Sequence, residues 1–168
     1  MVRKIVEYPD PLLREKTIPV STIGEGIFTL VEDMITTMLE KDGVGLAANQ
    51  VGSRHRIFVL NTTPHDEDPS PVVFINPVIL DADEDTVDEE GCLSFPGLYL
   101  HIPRSRTVRV QAQSLYKEDL VYDAHELLAR AIQHEIDHLD GVVFIDHALP
   151  EEQEAVQKYL EQLRSEES

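Results

Sequence analysis

Apolar residues recur every three or four positions in the first third of the chain. This period matches one face of an α-helix, and it predicts an amphipathic helix over residues 24–41 that is stopped by Gly43. The residues of the apolar face are Ile27, Leu30, Val31, Met34, Ile35, Met38 and Leu39. We expect this face to lie against a hydrophobic core.

Shorter apolar or alternating runs follow, and such runs are typical of β-strands. The predicted strands are Ile57–Leu60, Val72–Ile75, Val78–Leu80 and Val108–Ala112, bounded by proline, aspartate and serine. Pro64–Pro71 is expected to form a flexible loop. Asp81–Glu90 is the most acidic stretch of the chain, and we expect it to form a solvated loop and strand edge.

Two further helices are predicted towards the C-terminus. One covers residues 124–140 and ends at Gly141, and the other begins at Pro150 with an apolar stripe of Val156, Tyr159, Leu160 and Leu163. We find no internal repeat and no linker, so residues 1–168 are expected to form one domain. The predicted class is α+β, with mostly antiparallel strands around a central helix, an N-terminal amphipathic helix and a C-terminal helix.

The predicted central helix carries the motif His-Glu-Ile-Asp-His at residues 134–138. Positions four residues apart lie on one face of a helix, so His134 and His138 can bind the same metal ion, with Glu135 beside them. Leu127 and Ala131 belong to the same stripe, so the two imidazoles continue an apolar face. A buried imidazole needs a partner such as a metal, and the motif therefore predicts a mononuclear metal hydrolase.

Cys92 is the best candidate for a third metal ligand. It is the only cysteine, which excludes an intramolecular disulfide and agrees with a reducing compartment. A Cys-His dyad protease would leave the spacing of the two histidines without a purpose. Phe144 stands where a metzincin has its third histidine, and Glu161, the candidate for a thermolysin-like site, lies in a segment typical of a surface helix.

Three separated segments form a recognisable set. They are Gly-Val-Gly-Leu-Ala-Ala-Asn-Gln at residues 43–50, Glu-Gly-Cys-Leu-Ser at 90–94 and His-Glu-Ile-Asp-His-Leu at 134–139. In pattern, order and spacing they resemble the peptide deformylase family, and the resemblance extends from Tyr8 to about Pro150. It implies a hydrolase that removes the N-formyl group from the initiator formyl-methionine of nascent polypeptides and releases formate.

The resemblance also implies roles for single residues. Glu135 would take a proton from the attacking water and pass it to the departing amine. The Gln50 side-chain amide and the Leu93 backbone N–H would stabilise the oxyanion. The residues expected to contact the peptide main chain or the methionine side chain are Val44, Gly45, Leu127, Leu128, Ala131 and His134.

Cys92, His134 and His138 would leave a fourth position open for water, as catalytic sites do. These ligands suit zinc by geometry, but the resemblance implies Fe(II) as the working ion, with nickel or cobalt as substitutes. Two alternatives remain open. A generic metallopeptidase would cleave internal peptide bonds, and a non-catalytic module with a closed structural metal would need a fourth protein ligand.

The chain is strongly acidic, with 32 acidic and 14 basic residues and a formal net charge of −18. This charge argues against DNA and against broad contact with phosphate backbones. We find no targeting segment and no apolar run of membrane length, so a cytoplasmic protein without a membrane partner is expected. The expected partners are N-formyl-methionyl nascent peptides. Residues 150–168 have a local net charge of −4, so any ribosome contact through this tail is expected to be weak.

Two positions depart from the family pattern. Tyr99 stands where some relatives have arginine near the peptide path, and Glu126 stands where many have glycine. Glu90 and Arg104 are a candidate ion pair that orients a metal ligand. His125 is expected to face away from the metal, and the other four histidines (His55, His65, His101 and His147) are expected to be surface residues.

Overall fold

The structure is a computed structural model that describes residues 1–167. Its α-helices are α1 (Glu25–Glu40), α2 (Glu126–Leu139) and α3 (Gln153–Glu167). Its strands are β1 (Gly45–Ala47), β2 (Ile57–Asn61), β3 (Pro71–Gly91), β4 (Tyr99–Gln113) and β5 (Asp119–His125). Short 3₁₀ helices cover Pro11–Arg14, Ala48–Val51, Phe144–His147 and Pro150–Glu152.

The five strands form one sheet in the order β1-β2-β3-β4-β5, and every neighbouring pair is antiparallel. This confirms the predicted α+β class with antiparallel strands. Because β1 pairs only with β2, its other edge is not covered by a strand of this sheet. An uncovered edge next to a cavity can accept an extended peptide.

The N-terminal amphipathic helix is confirmed as α1. Its apolar face is buried, with Met34 and Met38 fully inaccessible to solvent, and it packs against β1 and β2. The chain leaves the helix through Asp42, which adopts the left-handed conformation with φ of 55°. The predicted stop at Gly43 is therefore displaced by one residue.

The loop expected at Asp81–Glu90 is wrong, because these residues belong to the 21-residue strand β3. The solvated strand edge expected there is confirmed, because β2 pairs with β3 only at residues 71–75 and Asp81–Glu89 is largely exposed. They pair with β4 in a continuous register from Asp81 to Gly91, opposite Arg109 to Tyr99. Two predicted strands, Val72–Ile75 and Val78–Leu80, are parts of the same β3, separated by an irregularity between Ile75 and Val78. Strands β1 and β5 were not predicted.

The helix α2 packs across the sheet and lies at the centre of the fold. Its residues Ala129, Ile132, Ile136 and Leu139 are buried in the same core as Phe58 and Phe74 of the sheet. The helix ends before Gly141, which is left-handed with φ of 76°, as the sequence predicts. The packing holds α2 rigidly beside the β3–β4 hairpin, and this juxtaposition forms the site.

The C-terminal helix α3 packs on its own domain. Val156 is buried, and Tyr159 and Leu160 contact a cluster that contains Phe95 and Phe144. Ser168 lies outside the described residues. Within residues 1–167, no helix combines the length and the apolar character that a membrane crossing requires.

Candidate active site and metal centre

Three potential metal donors meet between α2 and the end of β3. His134 and His138 extend from one face of α2, and Cys92 follows β3 directly. The Nε2 atoms of the two histidines are 3.2 Å apart, and the Cys92 Sγ atom is 3.3 Å from Nε2 of His138. One donor atom from each residue lies within 4.8 Å of the other two. This is the group predicted from the sequence.

Glu90 fixes the tautomer of His134. Its Oε1 atom is 2.8 Å from Nδ1 of His134, and both side chains are buried. Burial alone would raise the pKa of Glu90, but hydrogen bonds and charge from His134 and Arg104 hold it well below its usual range. The ionised carboxylate can only accept, so Nδ1 donates the hydrogen and Nε2 is directed at the other donors. Burial lowers the pKa of His134, but Cys92, Glu135 and Glu90 together raise it well above its usual range, so a bound metal would displace the proton on Nε2.

The ion pair expected between Glu90 and Arg104 is present and belongs to a larger network. Arg104 donates from Nε to Glu90 Oε2 at 2.9 Å and from Nη1 to Asp137 Oδ2 at 2.6 Å. Arg130 donates to the same Glu90 oxygen at 2.7 Å. Sequence reasoning missed Arg130, although its position four residues before His134 on α2 places both on one helix face.

His138 is prepared for ligation in a different way. Asn49 donates its amide to the His138 carbonyl oxygen at 2.6 Å, which ties the helix to the 3₁₀ turn after β1. Burial, and then the charges of His134 and Arg104, hold the pKa of His138 well below its usual range. Two imidazole Nε2 atoms and a thiol therefore converge, and this donor set, once a metal displaces its protons, fits a divalent transition metal such as iron or zinc.

Glu135 lies next to the three potential metal donors but is not one of them. It is buried, and its Oε1 atom has no hydrogen-bond partner in the part of the chain that the structure describes. Burial raises the pKa of Glu135 to about 7. The carboxylate reaches this position because residue 45 is glycine: a Cβ atom there would lie 2.8 Å from Oε2 of Glu135.

The two predicted oxyanion donors lie beside Cys92. The Gln50 side chain accepts from the backbone N–H of Ala47 at 3.0 Å, which turns its NH₂ group towards the site. That group donates to Ser94 Oγ at 3.1 Å and lies 3.7 Å from Cys92 Sγ. Leu93 follows Cys92 in the chain and lines the same cavity.

The cavity in front of these residues has a volume of about 430 Å³. Five of the six predicted peptide-contacting residues line it together with Glu135, namely Val44, Gly45, Leu127, Ala131 and His134. Leu128 lies elsewhere, because its side chain packs against the main hydrophobic core.

The other residues weighed as ligands do not belong to this donor group. Glu161 is exposed on α3 and accepts a hydrogen bond from Gln157. Phe144 is buried and packs edge-on against the His134 ring. His125 is exposed at the end of β5, as expected. His147 is partly exposed and pairs with Asp137.

The family model for polypeptide deformylase matches residues 2–154. The chain belongs to the peptide deformylase family. A peptide deformylase from Clostridium botulinum (strain Alaska E43 / Type E3) is 48% identical over 145 residues, which are 86% of this chain and 95% of the relative. Family members are hydrolases, so the catalytic character predicted from the motif is confirmed.

Solved peptide deformylase structures have the same fold. The crystal structure from Legionella pneumophila matches with a TM-score of 0.89 and 35% identity, covering 99% of this chain and 98% of the other. The structure from Thermotoga maritima matches with a TM-score of 0.82 and 42% identity, covering 89% of this chain and 99% of the other. The likeness therefore extends over the sheet, α2 and the cavity of this peptide deformylase family member.

Proposed function

We propose that residues 1–168 form a single catalytic domain that removes the N-formyl group from the formyl-methionine of nascent polypeptides and releases formate. The observation that carries this proposal is the Glu135 carboxylate, buried with an unpaired oxygen beside three convergent metal donors and open to a cavity. A base in this position can serve a hydrolytic water, whereas a purely structural metal site has no use for it.

Cys92, His134 and His138 are the proposed metal ligands, and Fe(II) is the proposed working ion, with zinc, nickel or cobalt as substitutes. When bound, a divalent ion supplies Lewis acidity, which polarises a carbonyl group and makes water nucleophilic near neutral pH. The Cys92 thiolate and the two imidazoles would hold such an ion between the end of β3 and α2, two elements that the Glu90 network holds together.

Glu135 is the proposed proton carrier. It accepts a proton from the water that attacks the formyl carbon, and it donates that proton to the nitrogen as the C–N bond breaks. Burial favours this role because it raises the pKa of the carboxyl group towards neutrality, where a group can both accept and donate a proton. General acid–base catalysis of this kind contributes roughly 10²–10⁴ in rate.

The developing oxyanion is proposed to accept hydrogen bonds from the Gln50 amide and the Leu93 backbone N–H. Gln50 is held by its hydrogen bond from Ala47 before any substrate binds, so little reorganisation is needed during the reaction. Preorganised donors of this kind each contribute about 10²–10³ in kcat.

The substrate is proposed to bind as an extended strand beside β1. The free edge of β1 borders the cavity at Val44 and Gly45, and backbone hydrogen bonds there are independent of the peptide's side chains. The methionine side chain would occupy the apolar part of the cavity beside Leu127 and Ala131. Such a mode accepts many sequences after the methionine.

The two alternatives, a non-catalytic module with a closed structural metal and a generic metallopeptidase, predict different observations. A closed structural site needs a fourth protein donor, but within residues 1–167 the donor group contains three residues. A peptidase would cleave internal bonds of the same peptide. The test is therefore product analysis of formyl-Met-Ala-Ser after incubation with protein loaded anaerobically with iron: formate and intact Met-Ala-Ser support the proposal, and internal cleavage or no reaction contradicts it.

Because the proposed substrates are nascent chains, we propose a cytoplasmic location and, at most, transient contact with the ribosome. Residues 150–168 carry a local net charge of −4, which opposes binding to RNA. The apolar stripe of α3 is occupied by its own domain. We therefore propose that the tail contributes little affinity for ribosomes.

A further inference from the structure

Residues 6–8 connect two distant turns of the chain through their backbone. The N–H of Val6 donates to the carbonyl oxygen of Gln50 at 2.7 Å, and the N–H of Tyr8 donates to the carbonyl oxygen of Ser94 at 2.9 Å. Gln50 belongs to the 3₁₀ turn after β1, and Ser94 lies in the loop between β3 and β4. We call residues 6–8 the N-terminal clamp, because they hold both turns.

Each of the two clamped turns carries one proposed oxyanion donor, the Gln50 amide in the first and the Leu93 N–H in the second. The sheet does not fix their separation, because β2 lies between β1 and β3 and no hydrogen-bond ladder joins these two strands. The turns meet directly where the Gln50 amide donates to Ser94 Oγ at 3.1 Å, and both side chains are buried. The clamp is therefore a second connection between the two donors, and it runs through the backbone.

The clamp is itself held in place on both sides. Before it, the backbone N–H of Arg3 donates to Thr37 Oγ1 of α1 at 2.8 Å, and Ile5 packs against the apolar cluster of α1. At its other end, the Tyr8 ring stacks on Phe95, with the ring centroids 4.8 Å apart. A segment fixed at both ends can hold the two turns at a constant distance.

We propose that Val6 and Tyr8 are positioning residues for deformylation, because their backbone N–H groups set the distance between the Gln50 amide and the Leu93 N–H. Oxyanion donors act only when they lie about 2.7–3.1 Å from the developing charge, and a misplacement of about 1 Å can cost roughly 10² in rate. This inference rests on the proposed function, since it concerns donors for the oxyanion of the formyl group.

The test removes one clamp hydrogen bond and compares it with a matched proline. Val6→Pro deletes the donor, whereas Glu7→Pro places the same residue at an exposed position whose N–H donates no hydrogen bond within residues 1–167. The kcat and KM for formate release from formyl-Met-Ala-Ser are measured with iron-loaded full-length protein. We expect Val6→Pro to lower kcat about tenfold, with KM within about twofold and metal content retained. Glu7→Pro should leave all three unchanged.

A double-mutant cycle with Gln50→Ala separates positioning from a general structural role. If Val6 acts through Gln50, Val6→Pro should lower kcat by less than about twofold once the Gln50 amide is absent. An equal fall in both backgrounds, an equal fall in Glu7→Pro, or a wild-type kcat in Val6→Pro would overturn the clamp.

If Val6→Pro loses its metal or its cooperative unfolding, Val6→Gly and Glu7→Gly replace the proline pair. Glycine keeps the N–H but loosens the segment, so we expect a smaller fall in kcat, about threefold, for Val6→Gly alone and none in the Gln50→Ala background. Equal kcat values for the two glycine variants would overturn the clamp. No formate from the wild type would overturn the proposed function itself, whereas wild-type turnover that Val6 substitutions leave unchanged would overturn the clamp alone.

Discussion

Cys92, His134 and His138 each bring one donor atom to a common centre, so at the residue scale each substitution to alanine should remove one of three bonds to the ion. We expect Cys92→Ala, His134→Ala and His138→Ala to lose most of their bound metal. Metal content of the purified proteins, measured by mass spectrometry, tests this. His125→Ala is the control, because that histidine is exposed and does not belong to the donor group. Full metal occupancy in Cys92→Ala would contradict the assignment of three ligands.

Part of the site could be predicted from the sequence. The histidine spacing places two donors on one helix face without any tertiary information. The roles of Arg130 and Asp137 could not be predicted from the sequence, because a charged residue on a helix is usually solvated. Their contacts with Glu90 and Arg104 depend on how β3, β4 and α2 pack, which local sequence does not encode.

At the element scale, Glu90 joins β3 to β4 and α2 through Arg104, Arg130 and His134. Glu90→Gln removes the negative charge and leaves buried cations uncompensated, so we expect a loss of about 3–5 kcal/mol in the free energy of unfolding. Metal affinity should fall by roughly 10- to 100-fold, because His134 loses its orienting partner. Urea unfolding and competition with a chelator measure the two effects.

Glu89→Gln is the control for Glu90→Gln. It changes the same chemical group at residue 89, which is exposed and whose carboxylate has no partner among residues 1–167. Its effect on the free energy of unfolding should stay within about 0.5 kcal/mol. If the two variants were equally stable, the network would not be holding the three elements together.

The start of α2 carries backbone strain, because Glu126 stands at a position where the family pattern has glycine. Glu126 has a φ of 52°, in the left-handed region that favours glycine, and its side chain pairs with the exposed Arg106. Both substitutions lose the exposed ion pair with Arg106, but only glycine relieves the strain, so Glu126→Gly should be more stable than Glu126→Ala by about 1 kcal/mol. Thermal unfolding of both variants tests this, and an alanine variant as stable as the glycine variant would refute it.

The elements themselves were unequally predictable. Helices α1, α2 and α3 follow from their apolar periodicity, because each buries one stripe. The acidic half of β3 lacks an apolar alternation, and only pairing with β4 makes it a strand. The three-residue β1 likewise depends on pairing with β2. Such contacts between distant segments have no local signature.

For the whole molecule, the acidic C-terminal region should bind ribosomes weakly and stabilise its own domain instead. A chain that ends at Ala148 removes α3 and exposes the cluster that Val156, Tyr159 and Leu160 cover. We expect lower thermal stability and unchanged weak co-sedimentation with purified ribosomes at low and moderate salt. Tight binding by the full chain that disappears on truncation would contradict this.

The proposed mechanism depends most directly on Glu135 acting as a base and not as a ligand. The decisive measurement is the kcat for formate release from formyl-Met-Ala-Ser, together with metal content, for the iron-loaded wild type and Glu135→Gln. Glutamine keeps the shape and loses the basicity, so we expect metal content to be retained while kcat falls by about 10² or more. Retained turnover in Glu135→Gln, or loss of its metal, would contradict the proposed mechanism.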